Sequence, residues 1–137
     1  MPISRMLIKC DGGSRGNPGP AAIGAILYDS RNQVVTTISR AVGNTTNNQA
    51  EYLAVITALE EAIRLGARQV ELRIDSELIV KQFHGEYRVK KAELKPLHQR
   101  VKELEQRLEK LSVNHIPREQ NREADRLVNM ALDAARS

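Results

Sequence analysis

The sequence predicts an α/β fold in which a five-stranded mixed sheet carries helices on its faces. Three features point there: short apolar runs parted by turn residues through the first forty positions, a switch to helical spacing near residue 48, and strand-like and helix-like segments alternating thereafter. At 137 residues the chain has the size of one domain, so 1–137 is read as a single unit.

Met6 to Cys10, Ile23 to Tyr28 and Val34 to Ser39 read as strands, with Asp29-Ser30-Arg31-Asn32 as a hairpin turn between the last two. From Asn48 to Leu65 the spacing is helical: Leu53, Ile56, Leu59 and Ile63 form a stripe, Ala54, Ala58 and Ala62 lie beside it, and Gly66 supplies the stop. Val70, Leu72 and Ile74 alternate with Glu71 and Arg73, the period of a strand with one wetter face. A short helix from Ser76 to about His84 and a polar loop from Gly85 to Lys91 follow. Near Pro96 a longer helix begins, with Leu97, Val101, Leu104, Leu108 and Leu111 spaced by four and three. That run covers about two heptads, too few for a sustained coiled coil, so it is assigned to packing within the domain. Val113 to Ile116 gives the fifth strand, and a final helix from Asn121 aligns Ala124, Leu127, Val128, Ala131, Leu132 and Ala135 on one face.

Composition narrows the function. A formal charge of +4 and a pI near 9.5 favour a polyanionic partner, while one Phe, three Tyr and no Trp disfavour gripping unpaired bases by stacking. Reading of a nucleic-acid backbone fits better. The lone Cys10 forms no internal disulfide, and the N-terminus has no long apolar run, so a cytoplasmic protein away from membranes is expected, with monomer as the default and no obligatory protein partner.

Four carboxylates fall at element ends: Asp11 at the end of the first strand, Glu51 in the first turn of the first helix, Asp75 ending the fourth strand, and Asp125 opening the last helix. Each has a structural explanation. Asn48 with Glu51 fits a capping box, Asp75 favours the helix that Ser76 caps, Asp125 sits in an ordinary acidic first turn, and Asp11 precedes a Gly-Gly turn. Glu51 and Asp125 nevertheless lie along the margins of buried stripes, which capping does not require. Brought together, two such charges ~4 Å apart repel by ~4 kcal/mol at an effective dielectric near 20. A hard divalent cation removes the conflict; Cys10, His84, His98 and His115 are too scattered for a zinc site.

The run Asp11-Gly-Gly-Ser-Arg-Gly-Asn-Pro-Gly-Pro20 resembles the opening motif of the type 1 ribonuclease H family. Thr46-Asn47-Asn48-Gln49-Ala50-Glu51 is similar to its second motif, Asp75-Ser76 to its third, and Asn121-Arg122-Glu123-Ala124-Asp125 to its fourth, in order and across essentially the whole chain. The spacing gives neither a dinucleotide fingerprint nor a P-loop. The resemblance implies a ribonuclease H-like fold in the compact form without a long basic handle, and hydrolysis of RNA in RNA–DNA hybrids to 5′-phosphate and 3′-hydroxyl ends. It implies two Mg²⁺ ions, with Mn²⁺ as substitute: Asp11 bridges them, Asp125 helps hold one, and Glu51 and Asp75 hold the other. Backbone groups of Gly12 and Gly13, with Glu51, sense the 2′-hydroxyl; Ser14, Asn17, Thr46, Asn47, Asn48 and Gln49 line the substrate grooves. The glycines of the first motif are read as allowing close approach of a nucleic-acid backbone.

Two places depart from the family pattern. Many members carry a histidine in a loop before the last acid. Counting back from Asp125 makes His115 its counterpart, whereas aligning the strand that ends at Pro117 leaves Arg118 nearest; the second alignment is preferred. In place of a basic handle stand only Arg88, Lys90, Lys91 and Lys95, read as phosphate contacts. Two rivals remain: a nuclease of the same fold that accepts double-stranded RNA or junctions, and a non-catalytic nucleic-acid-binding module. Four acids facing a polyanion weigh against the second.

Overall fold

The computed structural model describes residues 3–136. Its elements are β1 (Arg5–Ser14), β2 (Gly19–Tyr28), β3 (Val34–Thr45), α1 (Asn47–Arg64), β4 (Gln69–Ile74), α2 (Glu77–Phe83), α3 (Lys95–Gln106), β5 (Lys110–His115) and α4 (Arg122–Arg136), with a 3-10 turn at Arg118–Gln120 before α4. The five strands form one mixed sheet in the order β3-β2-β1-β4-β5. β1, β2 and β3 pair antiparallel, while β4 joins β1, and β5 joins β4, in parallel.

Both faces of β2 are covered, which is why it is apolar along nearly its whole length. Ile23, Ala25 and Leu27 enter the main core with Ile8, Cys10, Leu59 and Leu72 under α1 and α3. On the opposite face, Ala22 packs against Val128, Ala131 and Leu132 of α4, and Ile26 against Ala124 and Leu127. Tyr52 anchors the helical layer: it is buried, and its hydroxyl donates to Gln82 Oε1 on α2.

The 29–32 turn forms as expected, with Asn32 at φ 61° and the Asp29 carboxylate accepting from the backbone N–H of Arg31 (2.9 Å) and Gln33 (3.0 Å). Gly66, at φ 98°, follows α1, where only glycine adopts that conformation without strain.

Several boundaries differ from expectation. β1 and β3 run to Ser14 and Thr45, well past Cys10 and Ser39, because antiparallel pairing to β2 holds residues whose side chains carry no alternating pattern. Asp11 therefore lies within β1 rather than at its end. The first helix is capped by Thr46, whose hydroxyl accepts from Gln49 N while Gln49 Oε1 accepts from Thr46 N; the alternative Asn48–Glu51 box is not formed, and Glu51 is free of capping. The leucine seam also divides. α3 stops at Gln106, and Leu111 belongs to β5, opposite Val70, since the parallel ladder to β4 recruits Lys110–His115 with no glycine or proline to mark the change. Ala135, placed on the apolar face of the last helix, is exposed, and the buried face of α4 ends at Leu132. Among the described residues no helix is long and apolar enough to cross a membrane.

Candidate active site

The parallel ladder between β1 and β4 ends at Cys10 opposite Ile74. The next residues are Asp11 and Asp75, so register alone sets two carboxylates side by side at one end of the sheet. Glu51 joins them from the first turn of α1, and one carboxylate oxygen from each of the three lies within 4.8 Å of the others. Gly12 makes this approach possible: a Cβ there would stand 2.3 Å from Ala50 O and 2.6 Å from Glu51 N. The glycine thus serves close approach of the protein's own helix, a packing reason that stands beside the expected approach of a nucleic-acid backbone. At Gly13 the nearest atoms to such a Cβ are 3.9 Å away.

Asp125 arrives from the opposite face. Gly24, the cross-strand partner of Asp11, lies under α4, where a Cβ would meet Ala124 O at 2.4 Å. Asn121, 1% exposed, fixes the start of that helix by donating through Nδ2 to Cys10 O (2.8 Å), and Asp125 N donates to Asn121 O (3.1 Å). Asp125 lies outside the three-acid group, yet its charge reaches Asp11 and it lines the same cleft, of about 510 Å³. Asn121→Ala is expected to cost about 1–3 kcal/mol, read by urea unfolding, because it leaves the Cys10 carbonyl buried without its donor.

Crowding is visible in the protonation. Burial first, then the charges of Asp75, Glu51 and Asp125, push the Asp11 carboxyl up to about 8. Burial pushes Glu51 up to about 7, although the Ser76 hydroxyl donates to it and favours its ionised form; the same hydroxyl accepts from Ile79 N at 3.3 Å. The neighbouring Cys10 thiol is driven upward by burial and by the same acids. Among the described residues, no lysine or arginine forms an ion pair with Asp11, Glu51, Asp75 or Asp125. Uncompensated carboxylates, oxygen donors only, fit one or more hard divalent cations.

A pH dependence follows. Raised carboxyls bind protons more tightly in the folded state, so their stabilisation is complete below about pH 4 and is lost as pH climbs through 7 to 8. Metal-free protein is expected to lose melting temperature between pH 5.5 and 8, with a slope of at most about 1.4 kcal/mol per pH unit for each group. Mn²⁺ should restore more stability at pH 8 than at pH 5.5; an equal gain at both would contradict the crowding.

The predicted substrate-binding residues divide. Asn47 Oδ1 accepts from Ser14 N (2.8 Å) and Ser14 Oγ (3.0 Å), and Asn47 N donates to Asn17 Oδ1 (3.0 Å), tying the first motif to the start of α1. Gly12, Gly13, Ser14 and Asn47 line the acidic cleft. Thr46 and Gln49 are engaged in the cap. Asn17, Thr46 and Asn48 border a separate hollow of about 140 Å³ with Lys91 of the basic loop. Arg118 lines the acidic cleft, whereas His115 ends β5 and is not among the residues lining it.

Sequence reading missed Arg15 and Asn129 in this cleft. Arg15 Nη2 donates to Asp133 Oδ1 (2.7 Å) and Asn129 Oδ1 (3.3 Å), and Asn129 Nδ2 donates to the Asp125 carbonyl (3.1 Å) and Oδ2 (3.4 Å). The four-residue step from Asp125 to Asn129 was the available signal.

Residues 9–131 match the family described as reverse transcriptase-like. The bifunctional protein Rv2228c of Mycobacterium tuberculosis is 40% identical over 132 residues, covering 96% of this chain; the chain spans 36% of that relative's length. The crystal structure of RNase H1 from Halobacterium salinarum superposes with a TM-score of 0.93 at 42% identity, over 96% of this chain and 99% of that one. LC11-RNase H1, solved in complex with an RNA/DNA hybrid, gives 0.92 at 44% identity, over 96% and 99%.

Proposed function

The chain belongs to the ribonuclease H family, and on that premise we propose that residues 1–137 form a catalytic unit that hydrolyses the RNA strand of RNA–DNA hybrids. The observation that supports it most is the convergence of Asp11, Glu51 and Asp75 within 4.8 Å, with Asp125 lining the same cleft from the other face.

Two Mg²⁺ ions, or Mn²⁺ in their place, would supply an activated water and stabilise the leaving oxygen of the phosphodiester. Asp11, the acid that the other three crowd, would hold them together with Glu51, Asp75 and Asp125. Ser76 holds the Glu51 carboxylate in orientation through its hydroxyl. Asn129 donates to Asp125 and limits its rotation. Ser14, Asn17 and Asn47 position the RNA strand at the start of α1, and the backbone of Gly12 and Gly13 with Glu51 distinguishes the 2′-hydroxyl. Arg118, on the cleft wall, takes the auxiliary position near Asp125. Products carry 5′-phosphate and 3′-hydroxyl ends.

Labelled RNA–DNA, RNA–RNA and DNA–DNA duplexes incubated with Mg²⁺, Mn²⁺ or EDTA test this. Cutting of the hybrid alone, dependent on metal and leaving ends that ligase accepts, is the expected result. Comparable cutting of RNA–RNA would change the substrate, and cutting in EDTA would reject the mechanism. Arg118→Ala is expected to lower turnover more than His115→Ala does.

A further inference from the structure

α4 packs across β1, β2 and β3, while α1, α2 and α3 occupy the other face. No described helix covers the α4-side surface of β4 and β5. The register there builds a three-by-three grid of outward positions: Arg5, Gln69 and Lys110; Leu7, Glu71 and Ser112; Lys9, Arg73 and Asn114. None of the nine is buried. Four are cationic and one is acidic.

That acid is already engaged, since Glu71 pairs with Arg73 at 2.8 Å. Asp29, on the turn that walls the grid, is occupied by the backbone of its own turn. Arg5, Lys9 and Lys110 form no ion pair among the described residues. Between the turn and β5 lies a groove of about 370 Å³, lined by Arg5, Leu7, Gln69, Glu71, Arg73 and Lys110. Strand periodicity also joins this surface to the active site: Lys9 is two residues before Asp11, and Arg73 two before Asp75, each pair on one side of its strand. The cationic surface therefore begins where the acidic cleft ends.

We propose that this sheet face binds the sugar–phosphate backbone of a single-stranded extension continuing from the hybrid. This rests on the hybrid-cleaving reading of the cleft. The grid is two inter-strand spacings wide, about 10 Å, which admits one backbone between the 29–32 turn and β5, while a rigid duplex would ride on the turn. It holds no aromatic residue, so contact is with phosphates and is indifferent to base sequence.

The test uses non-cutting Asp11→Asn protein in Mg²⁺ and a fluorescent hybrid that is blunt, or bears a single-stranded DNA extension at either end, or bears a duplex DNA extension. At low salt one single-stranded extension is expected to tighten binding by about five- to tenfold. It should steepen the salt dependence by about two, as three added phosphate contacts require at roughly 0.7 each. In Arg5→Gln/Lys110→Gln protein that gain should disappear while affinity for the blunt hybrid changes by less than about twofold. The proposal is overturned if neither single-stranded extension improves affinity, if a duplex extension helps equally, or if the double substitution weakens blunt and extended hybrids alike. Wild-type cleavage of the blunt hybrid is scored in parallel: its presence without an extension effect rejects this surface alone, and its absence rejects the reading of the cleft.

Discussion

Asp11→Asn is expected to lower hybrid cleavage by at least about a thousandfold, a loss of roughly 4 kcal/mol of transition-state stabilisation, while making the metal-free protein more stable at pH 8. The opposite signs come from one cause. Asp11 is buried and faces Asp75, Glu51 and Asp125, and an amide removes a charge that the fold alone does not compensate. In EDTA the melting temperature should rise and its decline between pH 5.5 and 8 should flatten. The increment that Mn²⁺ gives the unaltered protein should largely vanish. Calorimetry with and without Mn²⁺, beside a turnover assay, reads all of these; a destabilised metal-free variant, or one that keeps its Mn²⁺ increment, would refute a repulsive metal site.

Gly12→Ala should be the costliest small substitution at the site, at about 3 kcal/mol. The added methyl would meet the carbonyl of Ala50 at 2.3 Å and the nitrogen of Glu51 at 2.6 Å, both backbone atoms of α1 that no side-chain rotation can clear. Relief requires the helix to lift, and Glu51 lifts with it, so at least tenfold loss of turnover is expected in addition. Gly13→Ala is the internal control. Its methyl would have 3.9 Å to its nearest neighbours, and stability should stay within about 0.5 kcal/mol. Urea unfolding of the two variants decides between helix packing and substrate approach as the reason for Gly12; equal stability would favour substrate approach.

Asp11, Glu51, Asp75 and Asp125 were all legible as candidates because each stands next to a local signal: a strand end, a helix start or a cap. What each touches was not. For Glu51 a capping box with Asn48 stood as the alternative to a metal-holding role, and only the start of α1 at Asn47 shows that Thr46 and Gln49 form the cap. Leu108 and Leu111 continued a helical repeat in sequence, and only pairing with β4 ends the helix before them. Arg15 and Asn129 lie 114 residues apart, beyond any window of local pattern.

Element types, their order and the candidate acids can be read from the chain alone, since these follow from periodicities of two and 3.6 and from turn and cap chemistry acting over a few residues. The tertiary structure alone decided that three acids meet within 4.8 Å while the fourth approaches from the far face, that Gly12 and Gly24 seat opposite helices, and that a basic sheet face is left uncovered. Those outcomes depend on strand register and helix docking, where a shift of one residue would reverse every side chain's face.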